Sequence, residues 1–274
     1  MTNKALVLEG GGLRGQYTAG VLDAFLEAGI QFPYIIGVSA GVSIGCSYVS
    51  KQPGRNLQII ETYRNDSRYL SWKNYFSTGS LFGMDFIFRE VPLHLIPFDF
   101  KTFNASASRF VTVCTDCASG RAVYYEKNED AMTILRASAS MPFLSPPVPY
   151  DGRRLLDGAI ADAIPLQKAQ DEGYKHTVIV LTRPLGYRKK EELSPPAWLF
   201  YPRYPELRKA LKSRVSRYNA QMDFVEAEEK KGSSLVIRPS QDLGISRTEK
   251  DVGRLRTLYE LGLLDGKEAC KKAL

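Results

Sequence analysis

Two short stretches of this 274-residue chain combine residue type and spacing in a way that suits covalent chemistry: Gly37-Val38-Ser39-Ala40-Gly41 and, one strand and helix earlier, Gly10-Gly11-Gly12-Leu13-Arg14-Gly15. A serine hydroxyl is a poor nucleophile until a base takes its proton and its oxygen is held out toward a carbonyl. A sharp strand-to-helix turn does the holding, and Gly37 and Gly41 flank Ser39 because side chains there would collide with neighbouring backbone. The earlier run follows the apolar residues Ala5 to Leu8 and leads into a helical pattern, so its N–H groups converge at a helix N-terminus, where negative charge is stabilised. Together they read as a nucleophile facing an oxyanion hole. An oxyanion needs about two aligned donors, each worth roughly 3 kcal/mol in rate. The amides of Gly11 and Gly12 are the candidates, supplemented by Ala40 at the start of the next helix, while Arg14 braces the turn or meets an anionic head group.

The base is harder to place, because the chain has only two histidines, His94 and His176. The order Ser39, Asp157, His176 formally matches an α/β-hydrolase triad. Geometry opposes it: His176 precedes the strand Thr177 to Arg183 whereas Ser39 follows its own strand, and in a parallel sheet those ends lie on the order of 20 Å apart. His94, in Val91-Pro92-Leu93-His94-Leu95-Ile96-Pro97, reads as a loop or core histidine. That leaves a carboxylate. Asp157, in Leu155-Leu156-Asp157-Gly158-Ala159, follows a strand and begins a turn from which it can reach Ser39. An aspartate with the ordinary pKa of about 3.9 is a weak base, but a shielded site raises it. The bland alternative is that Asp157-Gly158 is only a turn.

Other chemistries are visible and weaker. Gly10-x-Gly12-x-x-Gly15 also satisfies the dinucleotide-binding pattern, which calls for an acidic residue about 20 positions on, at the end of the second strand. The chain offers Ile35-Ile36-Gly37-Val38-Ser39 there. Cys114-Thr115-Asp116-Cys117 has a metal-type spacing, but there is no second such pair among the four cysteines, and both sit in or at the end of a β-like run, so buried thiols are expected. A lipid-binding protein without turnover would share every one of these residues.

The elements that must position the motifs alternate as a mostly parallel sheet covered by helices requires. Ala5 to Leu8, Tyr34 to Val38, Thr177 to Arg183 and Ser234 to Arg238 read as strands; Gln16 to Ala28, Ala40 to Ser50, Glu129 to Ser140 and Thr248 to Lys272 read as helices. Arg109 to Asp116 and Arg121 to Glu126 form an antiparallel pair about a turn at Cys117 to Gly120, and Val148 to Tyr150 pairs with Arg153 to Leu156 about Asp151-Gly152. Tyr69 to Phe103 is strongly aromatic without clean periodicity and reads either as a cap over an apolar substrate site or as ordinary core. Pro184 to Pro205 reads as a mobile loop feeding an amphipathic helix with the apolar stripe Leu207, Leu211, Val215, Tyr218, Met222 and Val225.

With 44% hydrophobic and 24% charged residues, the chain is expected to form a single globular domain over 1–274, a motif-bearing core at about 5–183 and a C-terminal helical extension at about 184–274. No charged and then apolar leader precedes Ala5, so a cytoplasmic location, with peripheral membrane contact as an option, is expected. Charge is concentrated. Between Arg183 and Tyr218 lie ten basic residues (Arg183, Arg188, Lys189, Lys190, Arg203, Arg208, Lys209, Lys212, Arg214, Arg217) against three acids (Glu191, Glu192, Glu206), which equals the formal excess of +7. Interleaved aromatics such as Tyr187, Trp198 and Tyr201 suit contact with an anionic membrane surface, and a solvated helix face accounts for the charges equally well. No nucleic-acid-binding module accompanies the basic segment, and no nucleic acid is expected as a partner.

Taken together the motifs resemble those of the patatin-like phospholipases, lipid acyl hydrolases with a Ser-Asp dyad in place of a triad. The matching blocks are Gly10 to Gly15, Gly37 to Gly41, Asp157-Gly158-Ala159 and the serine and proline block Ala137 to Pro147, spanning Ala5 to about Arg183. The resemblance implies an α/β three-layer fold, a central mostly parallel sheet covered by helices on both faces. It implies Ser39 as nucleophile, Asp157 as base, and the turn formed by Gly10, Gly11, Gly12, Leu13, Arg14 and Gly15, with Ala40, around the oxyanion. Ala159 stands where many members have glycine. The resemblance further implies a lipid or ester substrate and no metal or organic cofactor. If an alcohol replaced water as acceptor, the same site would be a transacylase.

Overall fold

Ala5–Leu8 is buried at all four residues, as a parallel strand covered on both faces must be. In the computed structural model, which describes residues 4–191 and 193–273, this strand lies inside one sheet of eight. The strands are β1 (Ala5–Leu8), β2 (Tyr34–Val38), β3 (Arg109–Asp116), β4 (Ala122–Glu126), β5 (Val148–Tyr150), β6 (Arg153–Asp157), β7 (Thr177–Val180) and β8 (Ser234–Ile237). Their order is β5-β6-β3-β2-β1-β7-β8, with β4 also paired to β3. The five strands β3, β2, β1, β7 and β8 are parallel, and β4, β5 and β6 add antiparallel pairs beside them.

The α-helices are α1 (Gln16–Glu27), α2 (Ala40–Val49), α3 (Arg55–Tyr63), α4 (Trp72–Thr78), α5 (Phe100–Ala105), α6 (Ala131–Ser138), α7 (Leu166–Asp171), α8 (Ala197–Phe200), α9 (Pro205–Lys212), α10 (Arg214–Lys230) and α11 (Val252–Ala273). Successive residues of a strand face opposite sides, and the core divides accordingly. Leu6 and Leu8 of β1 join a cluster with α1, α2, α3 and α11, whereas Ala5 and Val7 join one with α7 and α10. The result is the three-layer α/β arrangement anticipated above. Helix α1 packs directly on α11. A Cβ built at Gly20 would sit 2.0 Å from the Tyr259 carbonyl oxygen, and one at Gly262 would sit 2.1 Å from that of Tyr17, so only glycine lets the two backbones touch.

Several boundaries differ from expectation. The strand beginning at Thr177 ends at Val180, because the chain turns so that the Thr182 N–H meets the Glu9 carboxylate at 2.6 Å. The amphipathic stripe is divided between two helices, broken at Ser213, although Leu207, Leu211, Val215, Tyr218, Met222 and Val225 are all buried as anticipated. The loop expected to be mobile is tied to α10: Arg188 pairs with Asp223 at 2.8 Å and Glu226 at 2.9 Å, and the Lys189 N–H donates to Asn219 Oδ1 at 2.8 Å. Glu192 of that segment lies outside the described residues. The closing helix starts at Val252 and not Thr248, because residues 240–251 form a loop whose Thr248 and Glu249 carbonyls accept from the Arg64 guanidinium. Within the aromatic segment, Phe86–Leu95 is a wide helix with i→i+5 bonds, as between the Ile96 N–H and the Val91 carbonyl at 2.9 Å.

Candidate active site

Ser39 stands at the C-terminal end of β2 with φ 54° and ψ −124°, a conformation that costs a non-glycine residue on the order of 1–3 kcal/mol and persists only where the surroundings over-determine it. Here they do. The Ser39 N–H donates to Ser138 Oγ at 2.8 Å, the Ser138 hydroxyl donates to the Val113 carbonyl at 2.6 Å, and the Ser39 carbonyl accepts from the Ser43 N–H at 3.0 Å. The two glycine runs interlock around this elbow. A Cβ at Gly10 would lie 3.0 Å from Ser39 Cβ, one at Gly41 2.4 Å from the Glu9 carbonyl oxygen, and one at Gly37 3.1 Å from the Val42 nitrogen. The glycine spacing is therefore the imprint of one βα turn nested in another.

Asp157 reaches the serine through the pairing of β3. Val38, the last residue of β2, is in register with Val113. The next residue of β3, Cys114, is in register with Asp157 at the end of β6. Since β4 occupies the other edge of β3 over Val111 to Thr115, β6 takes up the edge that β2 vacates. Ser39 and Asp157 thus meet end to end, and the Ser39 hydroxyl donates to Asp157 Oδ2 at 2.8 Å. Oδ1 accepts from the Ala159 N–H at 2.9 Å, the Asp157 carbonyl accepts from Thr115 Oγ1 at 2.8 Å, and the Asp157 N–H donates to the Ser140 carbonyl at 2.8 Å. Gly158 is required because a Cβ there would lie 2.3 Å from the Val113 carbonyl oxygen. Asp157 is only 5% exposed, and this burial raises its pKa from 3.8 to about 6 against the opposing pull of the Ala159 and Ser39 hydrogen bonds and the positive charges of Lys189 and Arg247.

The amides of Gly11, Gly12 and Ala40 have no acceptor among the described residues. Leu13, by contrast, donates its N–H to the Arg247 carbonyl at 3.1 Å and turns its side chain into an apolar chamber. Gly15 lies behind the turn, where a Cβ would meet Ile44 at 2.6 Å and Ala40 at 3.1 Å. Gly12 takes φ +59° beside the Arg247 carbonyl. Two cavities open at the serine, both lined by Gly12, Ser39 and Met141. One, of about 150 Å³, is walled by side chains such as Leu13, Ile44, Tyr69, Phe82, Ile87 and Phe88, so part of the aromatic segment lines it while Phe98 and Phe103 belong to the core. The other, of about 300 Å³, is lined by Asp157, the first glycine turn and a group of cations.

The histidines stand elsewhere. The His176 carbonyl accepts from the Ala5 N–H at 3.1 Å, which places it at the N-terminal edge of the sheet, opposite to Ser39. His94 is exposed on the last turn of the wide helix, so the expectation of a core or loop residue is corrected there: the turn that Pro92 interrupts carries it out to solvent. Cys114 and Cys117 are buried free thiols, and burial pushes both pKa values up. Sequence reasoning missed Ser138 and Thr115, which orient the elbow and the aspartate, and Arg247, which the loop before α11 delivers. Only Ser138 carried a signal, its place in the serine and proline block.

Comparison with known proteins bears on these motifs. A family model described as patatin-like phospholipase matches residues 6–169, and one described as a domain of unknown function (DUF6363) matches residues 204–274. The chain is 28% identical over 271 residues to the uncharacterized protein YjjU of Escherichia coli, an alignment covering 96% of this chain and 76% of that protein. It is 25% identical over 290 residues to lysophospholipase NTE1 of Cryptococcus neoformans, covering 97% of this chain and 17% of that protein. To mouse patatin-like phospholipase domain-containing protein 6 it is 26% identical over 291 residues, covering 96% of this chain and 20% of that protein. The chain thus spans about a fifth or less of these two longer relatives.

Proposed function

The chain belongs to the patatin-like phospholipase family, and on that premise we propose that it is a serine lipid acyl hydrolase in which Ser39 and Asp157 form the catalytic dyad. The observation that carries this reading is the 2.8 Å hydrogen bond from the Ser39 hydroxyl to a buried carboxylate, at the mouth of an apolar chamber. Family membership supports lipid acyl hydrolysis in general.

Ser39 Oγ attacks the ester carbonyl carbon while its proton passes to Asp157 Oδ2. The carbonyl oxygen becomes an oxyanion held by the amides of Gly11, Gly12 and Ala40. As the tetrahedral centre collapses, the bond to the alkoxy group breaks and Asp157 returns the proton to it, releasing the alcohol and leaving an acyl ester on Ser39. Water then adds to that ester as Asp157 takes its proton. Collapse expels Ser39 Oγ, which recovers the proton, and the fatty acid leaves. A pKa of about 6 keeps Asp157 ionised at neutral pH yet more basic than an exposed aspartate. The acyl chain occupies the apolar chamber, with the aromatic segment 69–103 as one wall.

Two wider features belong to the same proposal. The segments 6–169 and 204–274 act as one unit, supported by the contact of α11 with α1. The protein works as a peripheral lipid-surface enzyme on the cytoplasmic side through the basic segment 183–218, supported by the exposure of Trp198 and Leu199 on α8 and of Trp72 and Phe76 on α4. No helix among the described residues is long and apolar enough to cross a membrane. Purified protein is expected to hydrolyse p-nitrophenyl butyrate and to react with a fluorophosphonate probe. Ser39→Ala and Asp157→Ala each abolish turnover, whereas His94→Gln and His176→Gln retain it. Loss of activity in either histidine variant would overturn the dyad in favour of a triad.

A further inference from the structure

The chamber that takes the acyl chain is not apolar throughout. Beside Ile44, Ile59, Phe82 and Phe88 it is lined by Arg55 of α3, Ser43 of α2 and Gln16 of α1. Arg55 is only 8% exposed. Its Nη1 donates to Ser47 Oγ at 3.3 Å, its Nη2 donates to the Ile96 carbonyl at 2.9 Å, and its guanidinium lies over the Phe98 ring, 5.3 Å from the centroid. None of these partners carries a charge. The Arg55 Nε has no partner among the described residues, and Gln16 Oε1 and Ser43 Oγ are likewise buried without one.

A guanidinium stays ionised even when buried, and burying it without a carboxylate is costly. Burial pushes the Arg55 pKa down, opposed only by the Cys46 thiol, which is itself pushed up to about 11 and so is neutral at ordinary pH. The catalytic steps give this cation no task, because it stands too far from the nucleophile. Ser47, to which it is bonded, lies eight residues beyond Ser39 along α2, about 12 Å at the usual helical rise. Ser39 and Arg55 line the same chamber, which therefore joins a nucleophile to an uncompensated positive charge. A zigzag of C–C bonds of about 1.5 Å covers that span in roughly nine carbons. A chain ending in a methyl group has no use for a cation there, and it leaves the guanidinium unpaired.

We infer that the chamber is built for an acyl chain that ends in a carboxylate held by Arg55, so that the preferred substrates are lipid esters of medium-length dicarboxylic acids. Oxidative cleavage of an unsaturated chain at a mid-chain double bond is the class of reaction that supplies such an end. The inference rests on the hydrolase reading above for turnover, but recognition of the chain end is a matter of binding. The ester bond breaks as already described, and the products are the alcohol and the free diacid. Ser43 and Gln16 add polar groups along the chamber.

The test compares mono-p-nitrophenyl azelate with p-nitrophenyl nonanoate, which match in carbon number and differ only at the far end. The azelate is expected to show a kcat/KM at least about tenfold higher, since a buried polar site penalises the analogue that leaves it unpaired. Mono-p-nitrophenyl succinate against p-nitrophenyl butyrate controls for length: the succinate is too short to reach Arg55, and that pair shows no such advantage. Arg55→Gln lowers the nine-carbon ratio at least about tenfold, whereas Arg55→Lys, which keeps the charge, retains more of it. Thermal melts establish that each variant is folded, and the parent's own preference decides the matter if Arg55→Gln is not. A parent that favours the nonanoate overturns the inference, as does a folded Arg55→Gln protein with an unchanged ratio. An equal advantage for the succinate also overturns it, because the charge would then be read outside the chamber. Binding is read separately by calorimetry on Ser39→Ala protein with monomethyl azelate and methyl nonanoate. Tighter binding of the azelate by a protein whose parent cleaves no ester overturns the hydrolase reading and leaves the chamber's preference standing. Equal or weaker binding overturns that preference whatever the activity.

Discussion

Asp157→Asn separates the chemistry of the site from its stability. Asparagine keeps the shape, can accept from the Ala159 N–H and can still contact Ser39 Oγ, but it carries no charge and cannot act as base. Because burial raises the folded-state pKa to about 6 from 3.8, the folded protein holds that proton more tightly than the unfolded chain does. Its stabilising contribution is complete below about pH 4 and is lost as pH rises through about 6. Ionisation at neutral pH then costs about 3 kcal/mol, from roughly 1.4 kcal/mol for each pH unit separating the two values. The variant avoids that cost. It is expected to match the parent closely in stability at pH 4 and to exceed it by about 3 kcal/mol at pH 8, on the order of 5 °C in Tm for a chain of this length. Its kcat on p-nitrophenyl butyrate falls about 10³-fold, while the parent's kcat/KM rises with pH to a half-maximum near 6. Thermal melts at both pH values with a pH–rate profile supply the measurement. A variant that gains no more at pH 8 than at pH 4 refutes the claim that the fold strains itself to keep a buried base ionised.

Ser138→Ala removes the acceptor of the Ser39 N–H and the donor to Val113, leaving two buried backbone groups without partners. With the elbow loosened, kcat on soluble esters is expected to fall roughly 10–100-fold with little change in KM, read by steady-state kinetics. Gly262→Ala forces α11 away from the Tyr17 carbonyl, an overlap with backbone that no side-chain rotation relieves. The expected loss is about 3 kcal/mol, seen as a fall in the denaturant midpoint. Charge reversal at Arg208, Lys209 and Lys212 is expected to weaken binding to vesicles rich in anionic lipid while sparing soluble esters, and unchanged sedimentation with vesicles would return the basic segment to an ordinary solvated face.

Much of the first half of the fold was legible because its demands are local. A glycine that must avoid a carbonyl in an adjoining turn leaves a mark in the sequence wherever the turn is, and Gly10, Gly37 and Gly41 all carry it. The aspartate was legible only as one acid after one strand. What brings it to Ser39 is the register of β3, whose Val113 and Cys114 pair with Val38 and Asp157, residues that no local pattern relates. Elements ended early where a distant group made a better offer, as Glu9 did to Thr182.

The sequence by itself determined which turns must be tight, where the apolar strands and helices lie, and that a serine stands on a strand-to-helix elbow, since each follows from contacts within a few residues. Only the tertiary structure decided which carboxylate faces that serine, that one cavity beside it is apolar and the other cationic, and that Arg247 from a loop near the end of the chain stands with Arg14 from its beginning. Pairing register and loop closure join residues far apart in the chain, and the free energy of those contacts depends on their spatial neighbours, which no stretch of sequence contains.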